Sequence, residues 1–319
     1  MNEEEKKTEE KKVDAAASAE QALAAFESEQ KKNKTNDTKG QRPSGLIGGF
    51  FAGFFKIRDE PTIIGKVLMA LIFICLAMGA WFLVTRGATA EERFVSPYAL
   101  GSPEEVFGSF HSLWFDRALM RNLIASLWRV LQGFGLAVCV GVPLGILCGA
   151  FKRIDSFFLP VSVFGRNVPI VALLPMAMLW FGAGESLKVG FLFISCVAFI
   201  LFDTTQNINS VKKDYLDTAY TLGASRFQVL MKVLIPLALP GIFNSLRLLL
   251  GLAFGYIILA EMVDMDAGVG KLILMSQRKG PREHVYLILF FITIIAFLID
   301  RFLFLCQKYL FPYKFARNS

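Results

Sequence analysis

Long apolar stretches alternate with short polar segments along the chain from residue 63 onward. A helix needs about 20 apolar residues to cross a bilayer core of roughly 30 Å, and several stretches meet that length. Unbroken runs favour helices, because strands of a transmembrane β-barrel are short and alternate in polarity. The pattern predicts an all-α, polytopic membrane protein with about six transmembrane helices, over residues 63–85, 122–150, 160–181, 187–206, 234–260 and 285–308.

Two of these predicted crossings carry internal signals. Pro169 and Pro175 interrupt the third crossing, so we expect a kink or break there. The second crossing contains the run GFGLAVCVGVPLGILCGAF, whose glycines permit close approach of a neighbouring helix.

Composition agrees with a membrane protein. Hydrophobic residues make up 54% of the chain and the mean hydropathy is +0.50, too apolar for one soluble core. The formal charge is +7, but the basic residues flank apolar runs, which indicates membrane orientation rather than nucleic-acid binding.

The distribution of Lys and Arg predicts that both termini are cytoplasmic. Three basic segments then lie inside, as the positive-inside rule favours: residues 151–155, 210–232 and 307–317. The loop 261–284, with four basic residues, lies outside and opposes the rule. Three segments outweigh one.

The two segments before the first crossing differ from the rest. Residues 1–43 are rich in Lys and Glu, and we expect a disordered cytoplasmic tail, with a short helix over residues 15–26 as the alternative. Residues 44–61 hold a Phe/Gly-rich run too short to span, which favours an amphipathic segment in the membrane interface.

The stretch DTAYTLGASRFQVLMKVLIPLALP, residues 217–240, interrupts the apolar runs with small and polar residues. A helix, a sharp turn at Gly223 and a second helix would form a compact knob outside the membrane. An ordinary polar loop is the alternative reading of the same residues.

This stretch resembles the EAA motif of ABC-type importer permeases, which dock on an ATPase through a cytoplasmic coupling helix. The matching positions are Asp217, Thr218, Ala219, Gly223, Val233, Ile235 and Pro236. Asp stands for the family's Glu and Thr for its first Ala, which keeps size and polarity similar.

The resemblance covers about residues 94–312. Within the family, these residues are similar to the branch that transports nitrate, sulfonates, taurine and bicarbonate. The resemblance includes SPEEVFGSF, NLIASLWRVLQGF, NVPIVALLPMAMLWFGAGES and LIDRFLF. We therefore predict a first transmembrane helix and the start of an outer loop over 62–93, a permease core over 94–312 with a coupling segment at 207–236, and a cytoplasmic tail at 313–319.

The resemblance implies a type I ABC importer permease fold in the bacterial inner membrane. It implies a non-catalytic homodimer that works with ABC ATPase subunits and an extracytoplasmic substrate-binding protein. The substrate implied is a small anion of the nitrate, sulfonate, taurine or bicarbonate type. ATP and Mg would be used by the partner ATPase, and no cofactor or metal is expected on this chain. The alternatives are a self-sufficient secondary transporter and a membrane scaffold.

The resemblance implies ATPase-coupling roles for the residues in and around the motif: Asp214, Asp217, Thr218, Ala219, Gly223, Ala224, Arg226 and Pro236. The string AGVGKL at 267–272 does not form a phosphate-binding loop, because the Walker pattern requires Gly at 265, where Met stands, and Ser or Thr at 272, where Leu stands.

Polar residues inside predicted crossings are costly and suggest a pathway or a helix contact. One such face lies on the second crossing, because Asn122, Ser126 and Arg129 are spaced i, i+4 and i+7; it either lines a passage or packs on another helix. The further pathway candidates are Arg166, Asn167, Asn244 and Arg247. In the alternative reading, Arg166 lies nearer the cytoplasmic half and snorkels to the membrane surface.

Overall fold

The computed structural model describes residues 63–87, 93–96 and 99–315, so the predicted tail 1–43 and the segment 44–61 lie outside the described residues. The chain divides into two compact units, Met1–Leu76 and Ala77–Ser319. The described residues form helices only. These are α1 (Ile63–Thr85), α2 (Pro103–Gly108), α3 (Leu119–Ala150), α4 (Lys152–Asn167), α5 (Ile170–Phe181), α6 (Glu185–Asn209), α7 (Lys213–Thr221), α8 (Arg226–Val229), α9 (Ile235–Val263), α10 (Val269–Lys279), α11 (Glu283–Leu310) and α12 (Pro312–Phe315), with π-helical turns at Ser112–Asp116 and Leu230–Leu234.

Five continuous helical stretches in the described residues are long and apolar enough to cross a membrane: Ile63–Thr85, Leu119–Ala150, Glu185–Asn209, Arg226–Val263 and Glu283–Leu310. The pair α4 and α5 brings the number to six if it counts as one broken span. The prediction of an all-α protein with about six crossings is confirmed.

The helix direction bends by 109° between the two halves of the broken span. The break falls at Val168 and Pro169, both of which have extended backbone angles. Proline removes a backbone donor and disfavours helical conformation in the residue before it, so the predicted break at Pro169 is confirmed. Pro175, in contrast, lies inside α5, which continues past it.

Helices α3 and α6 pack with their backbones unusually close. Cβ atoms built on Gly141, Gly145 and Gly149 would lie 2.8, 2.6 and 2.5 Å from the side chains of Ile200, Thr204 and Ile208. Both sets have a spacing of four residues, so one stripe of glycines faces one stripe of larger side chains. The predicted close packing of the second crossing is confirmed.

The main core of the second unit lies between α3, α6 and α9. Val130, Ile200 and Ile257 are fully buried there. A second cluster joins α2, the first turns of α3, α10 and the start of α11, with Leu113, Leu119 and Ile288 at its centre. The start of α10 is therefore packed into the bundle, with Gly268, Val269 and Gly270 buried, whereas Met265 and Asp266 in the turn before it are exposed.

Helix α2 begins with a capping box. Ser102 Oγ accepts from the Glu105 backbone N–H at 3.3 Å, and Glu105 Oε2 accepts from the Ser102 N–H at 2.8 Å. Arg93 donates to both carboxylate oxygens of Glu105, at 3.3 and 3.0 Å. The Arg93 hydrogen bonds, followed by the Ser102 bond, lower the pKa of Glu105 to about 2.

Candidate functional site

The segment between α6 and α9 folds as a helix, a turn and a second short helix. Helix α7 ends in a turn at Gly223, whose φ of +79° is a conformation that glycine adopts at little cost. The Ala224 N–H donates to the Ala219 carbonyl across this turn at 3.0 Å. Ser225 then starts α8 with a second capping box, closed by Gln228. The predicted helix, turn and helix are present, so the alternative of an ordinary loop is wrong.

The predicted coupling residues lie on the surface of this knob. No residue of α7 is buried, and the Asp214 and Asp217 carbonyls accept from Thr218 and Thr221 hydroxyls at 2.7 and 2.8 Å. Arg226 begins α8 and is exposed. Pro236, also exposed, lies at the start of α9, where its carbonyl accepts from Tyr313 at 2.7 Å.

Sequence reasoning missed the apolar side chains that the knob exposes. Leu222 and Phe227 are 83% and 71% exposed, and Tyr215, Tyr220 and Met231 are about half exposed. Tyr215, Tyr220 and Leu222 precede the candidate membrane span Arg226–Val263, whereas Phe227 and Met231 lie in its first turns. Exposed apolar side chains outside a span usually mark a protein contact. The signal was present in the sequence as large apolar residues inside an otherwise polar segment.

The polar face of α3 contacts the turn between α9 and α10. Asn122 Oδ1 accepts from the Gly268 N–H at 2.8 Å, and Ser126 Oγ donates to Glu261 at 2.7 and 2.8 Å. Ser126 also accepts from the Val269 N–H at 2.9 Å. These contacts correspond to the helix-packing alternative, and a pathway role for the face stays a prediction.

Arg129 is the centre of a buried charge network. Its Nη1 donates to Glu261 Oε1 at 2.8 Å and to the Ala267 carbonyl at 2.7 Å, while its Nε donates to Glu185 Oε2 at 2.7 Å. Nη2 completes a bidentate pair with Glu185. Glu261 is fully buried and also accepts from the Gly270 N–H at 2.9 Å, so the pairing expected for this carboxylate is present.

Lys188 extends the network and was not foreseen. It is fully buried, with Nζ 3.1 Å from Asp264, 3.4 Å from Glu185 and 3.7 Å from Asp266. Asp264 also accepts from the Gly184 N–H at 2.8 Å. A lysine within an apolar run was the available signal, because such a charge is normally paired or functional.

The remaining pathway candidates lie apart from this network. Arg166 lies over the ring of Phe202, 3.8 Å from its centroid, and Asn167 is exposed and donates to the Val163 carbonyl at 2.8 Å. Both precede the break between α4 and α5, so the structure does place them beside the broken span.

The fifth-crossing candidates lie on α9. Arg247 makes a bidentate pair with Asp300 of α11, at 2.8 to 3.1 Å, and donates to Gln307 at 3.0 Å. Asn244 is exposed one turn before it. Two separate polar groups therefore exist in the described part of the bundle, one around Arg129 and one around Arg247.

Residues 141–313 match the family described as binding-protein-dependent transport system inner membrane component. The chain belongs to this family. The match contains the complete knob and both helices that flank it, α6 and α9. The permease is therefore a transport subunit, and neither a secondary transporter nor a scaffold is favoured.

Individual relatives agree with this assignment. The permease is 29% identical over 253 residues to the taurine transport system permease protein TauC of Escherichia coli K12, covering 78% of this chain and 90% of the relative. It is 33% identical over 196 residues to the bicarbonate transport system permease protein CmpB of Synechococcus elongatus, covering 61% of this chain and 70% of the relative.

Solved structures support the fold. An inward-facing form of the MetNI methionine ABC transporter superposes with a TM-score of 0.55 at 19% identity, over 63% of this chain and 98% of the other. At this sequence identity the structural similarity shows the fold alone, which is that of an ABC importer permease.

Proposed function

We propose that this permease forms one half of the membrane pathway of an ABC importer and that the knob α7–α8 docks on the ATPase subunit. The observation that carries this proposal is the knob itself, a rigidly capped pair of helices with an exposed apolar patch. A protein groove that accepted Leu222 and Phe227 would remove their side chains from water, which favours association.

The orientation follows from the same surface. An ATPase works in the cytoplasm, so α7 and both chain termini lie on the cytoplasmic side of the inner membrane. The turn between α9 and α10 then lies on the outer side, because α9 crosses the membrane between the two. The substrate-binding protein delivers its cargo to that outer side.

The broken span supports a pathway between two copies of the permease. Backbone that is not helical is tolerated at membrane depth only where protein or water covers it, because lipid offers no hydrogen bonds. Asn167 and Pro169 at the break are exposed in the single chain. This surface faces a second copy of the permease or the pathway between the two copies, which makes Arg166 and Asn167 pathway candidates.

The substrate we propose is a small anion of the nitrate, sulfonate, taurine or bicarbonate type. The functions of the relatives TauC and CmpB, which are taurine transport and bicarbonate transport, support this class. The candidate residues for the pathway supply cationic, amide and hydroxyl groups suited to an oxyanion: Asn122, Ser126, Arg129, Arg166, Asn167, Asn244 and Arg247. In this proposal the partner ATPase binds ATP and Mg and hydrolyses the ATP, and the permease takes no part in that reaction.

Capture of the ATPase by the solubilised permease tests the proposal. Leu222→Asp places a charge in the exposed patch without changing a special backbone conformation, and it should abolish capture. Gly223→Asp should do the same. The control is Arg153→Asp, which introduces the same acid at an exposed position in the first turn of helix α4, on the proposed cytoplasmic side, and should leave capture intact. Equal capture by wild type and Leu222→Asp would overturn the coupling assignment.

A further inference from the structure

One edge of the Arg129 guanidinium donates to groups inside the fold, and the other edge binds the carboxylate of Glu185. Its Nη1 is fixed by Glu261 and by the Ala267 carbonyl, at 2.8 and 2.7 Å. Its Nε and Nη2 form a planar fork that holds the carboxylate of Glu185. The fork would keep its direction without Glu185, because the contacts behind it do not involve that residue. Such a fork suits carboxylate and other oxyanions.

A second buried cation lies beside the fork. Lys188 Nζ is 3.4 Å from Glu185 Oε1, and Asp264 anchors it separately at 3.1 Å. The side chains of Arg129 and Lys188 are 5% and 0% exposed, whereas that of Glu185 is 61% exposed. One largely exposed carboxylate therefore contacts two buried cations.

We propose that Arg129 and Lys188 form a transient binding site for the anionic group of the substrate, and that Glu185 occupies this site when substrate is absent. The inference rests on the proposed function, import of a small anion. Rotation of the Glu185 side chain into water would open the fork without any change in the backbone, and both cations would stay anchored by Glu261 and Asp264.

The charge balance permits this exchange. Four carboxylates surround the two cations: Glu185, Glu261, Asp264 and Asp266. A monovalent anion that replaces Glu185 leaves the charge inside the network unchanged. It therefore meets the same electrostatic surroundings in which the Glu185 carboxylate is already held, and a sulfonate or bicarbonate fits the two-donor fork.

Removal of the internal competitor tests the site. Glu185→Gln keeps the size of the side chain but removes its charge. If Glu185 fills the fork nine-tenths of the time, its removal should raise the apparent affinity for a monovalent oxyanion about tenfold. The measurement is thermal unfolding of the full chain in lipid nanodiscs, titrated with sodium methanesulfonate or sodium bicarbonate against sodium chloride at equal ionic strength.

Glu105→Gln is the matched control, because Arg93 also binds Glu105 through two nitrogen atoms and Gln can keep the capping box of α2. Among the described ion pairs, that of Arg93 with Glu105 includes no lysine. Glu105→Gln should leave oxyanion affinity unchanged within about twofold if the second cation is required. In the Glu185→Gln background, Arg129→Lys retains the charge opposite Glu261 but removes the fork, and it should cancel the gain.

A folded Glu185→Gln protein with wild-type oxyanion affinity would overturn the site, as would an equal gain in Glu105→Gln. Unfolding in chloride establishes whether the variant is folded. If it is not, Glu185→Asp carries the test, because its shorter carboxylate should hold the fork less well and give a smaller gain in affinity; no gain overturns the site. ATPase capture is unaffected by these outcomes, so failure of the anion site is distinguishable from failure of the importer assignment.

Discussion

Arg129 Nη1 lies 2.8 Å from Glu261 Oε1, and the two side chains are 5% and 0% exposed. Glu261 also accepts from Ser126 and from the Gly270 N–H, so its loss would leave buried donors without an acceptor beside Arg129, and breaking a buried pair costs about 3–5 kcal/mol. Glu261→Ala should lower the free energy of unfolding by that amount, measured on the full chain in nanodiscs. Glu104→Ala, at an exposed position of α2, should change it by less than about 0.5 kcal/mol. Similar values for the two variants would show that the buried pair contributes little.

The glycine stripe of α3 offers a comparison within one helix. A Cβ on Gly145 would lie 2.6 Å from the Thr204 Cβ, whereas one on Gly135 meets nothing within 4 Å. Gly145→Ala should destabilise the permease by about 1–3 kcal/mol through overpacking. Gly135→Ala should be neutral or stabilising by up to about 1 kcal/mol, because alanine favours the helix. Thermal unfolding of both variants checks the difference in sign, and a loss of stability in both would contradict the close packing of α3 on α6.

The break between α4 and α5 depends on one of two prolines. Pro169→Ala restores a backbone donor and frees Val168 to adopt helical angles, so the arms should straighten in part of the population. Spin labels at the exposed positions 157 and 179 report the change, because a continuous helix would separate the two positions by roughly 33 Å. Pro175→Ala, inside a helix that is already continuous, should leave the distance unchanged. An unchanged distance in Pro169→Ala would mean that packing on α6, rather than proline, holds the bend.

The pairing of Arg93 with Glu105 makes one part of the stability depend on pH. The ordinary pKa of 4.5 for this carboxyl falls to about 2 in the folded protein. A depressed pKa stabilises the fold fully above the unfolded value, and the contribution disappears as pH falls through the folded value. The melting temperature of wild type should therefore exceed that of Glu105→Gln above about pH 5, and the gap should close between pH 4.5 and 2. A gap that is constant across this range would exclude the carboxylate as its source.

The sequence predicted those features of the fold that local chemistry determines. The hydrophobic runs placed the crossings, Pro169 placed the break, and Gly223 placed the turn of the knob, because each acts on its own backbone or on its own helix. The partners of Arg129 were only partly predictable. Glu261 was expected to pair with a base, but Glu185 and Lys188 belong to a helix 56 residues or more away along the chain, and no local pattern indicates that they meet.

Local sequence patterns also could not show which apolar side chains of the knob are exposed. The family resemblance predicted its coupling positions, whereas the exposure of Leu222 and Phe227 is visible only in the fold. Hydrophobicity alone does not distinguish a side chain that packs within the chain from one that stays exposed and can contact another protein. That distinction depends on which neighbours the folded chain supplies.

Helix α6 runs from the Arg129 network toward the knob. It begins at Glu185 and ends at Asn209, three residues before α7, and 25 residues of helix are about 37 Å long. The glycine stripe locks α6 against α3, so neither helix can slide along the other without a clash. A displacement of α7 would therefore be transmitted along this helix pair to the opposite end of α6, where Arg129 binds Glu185.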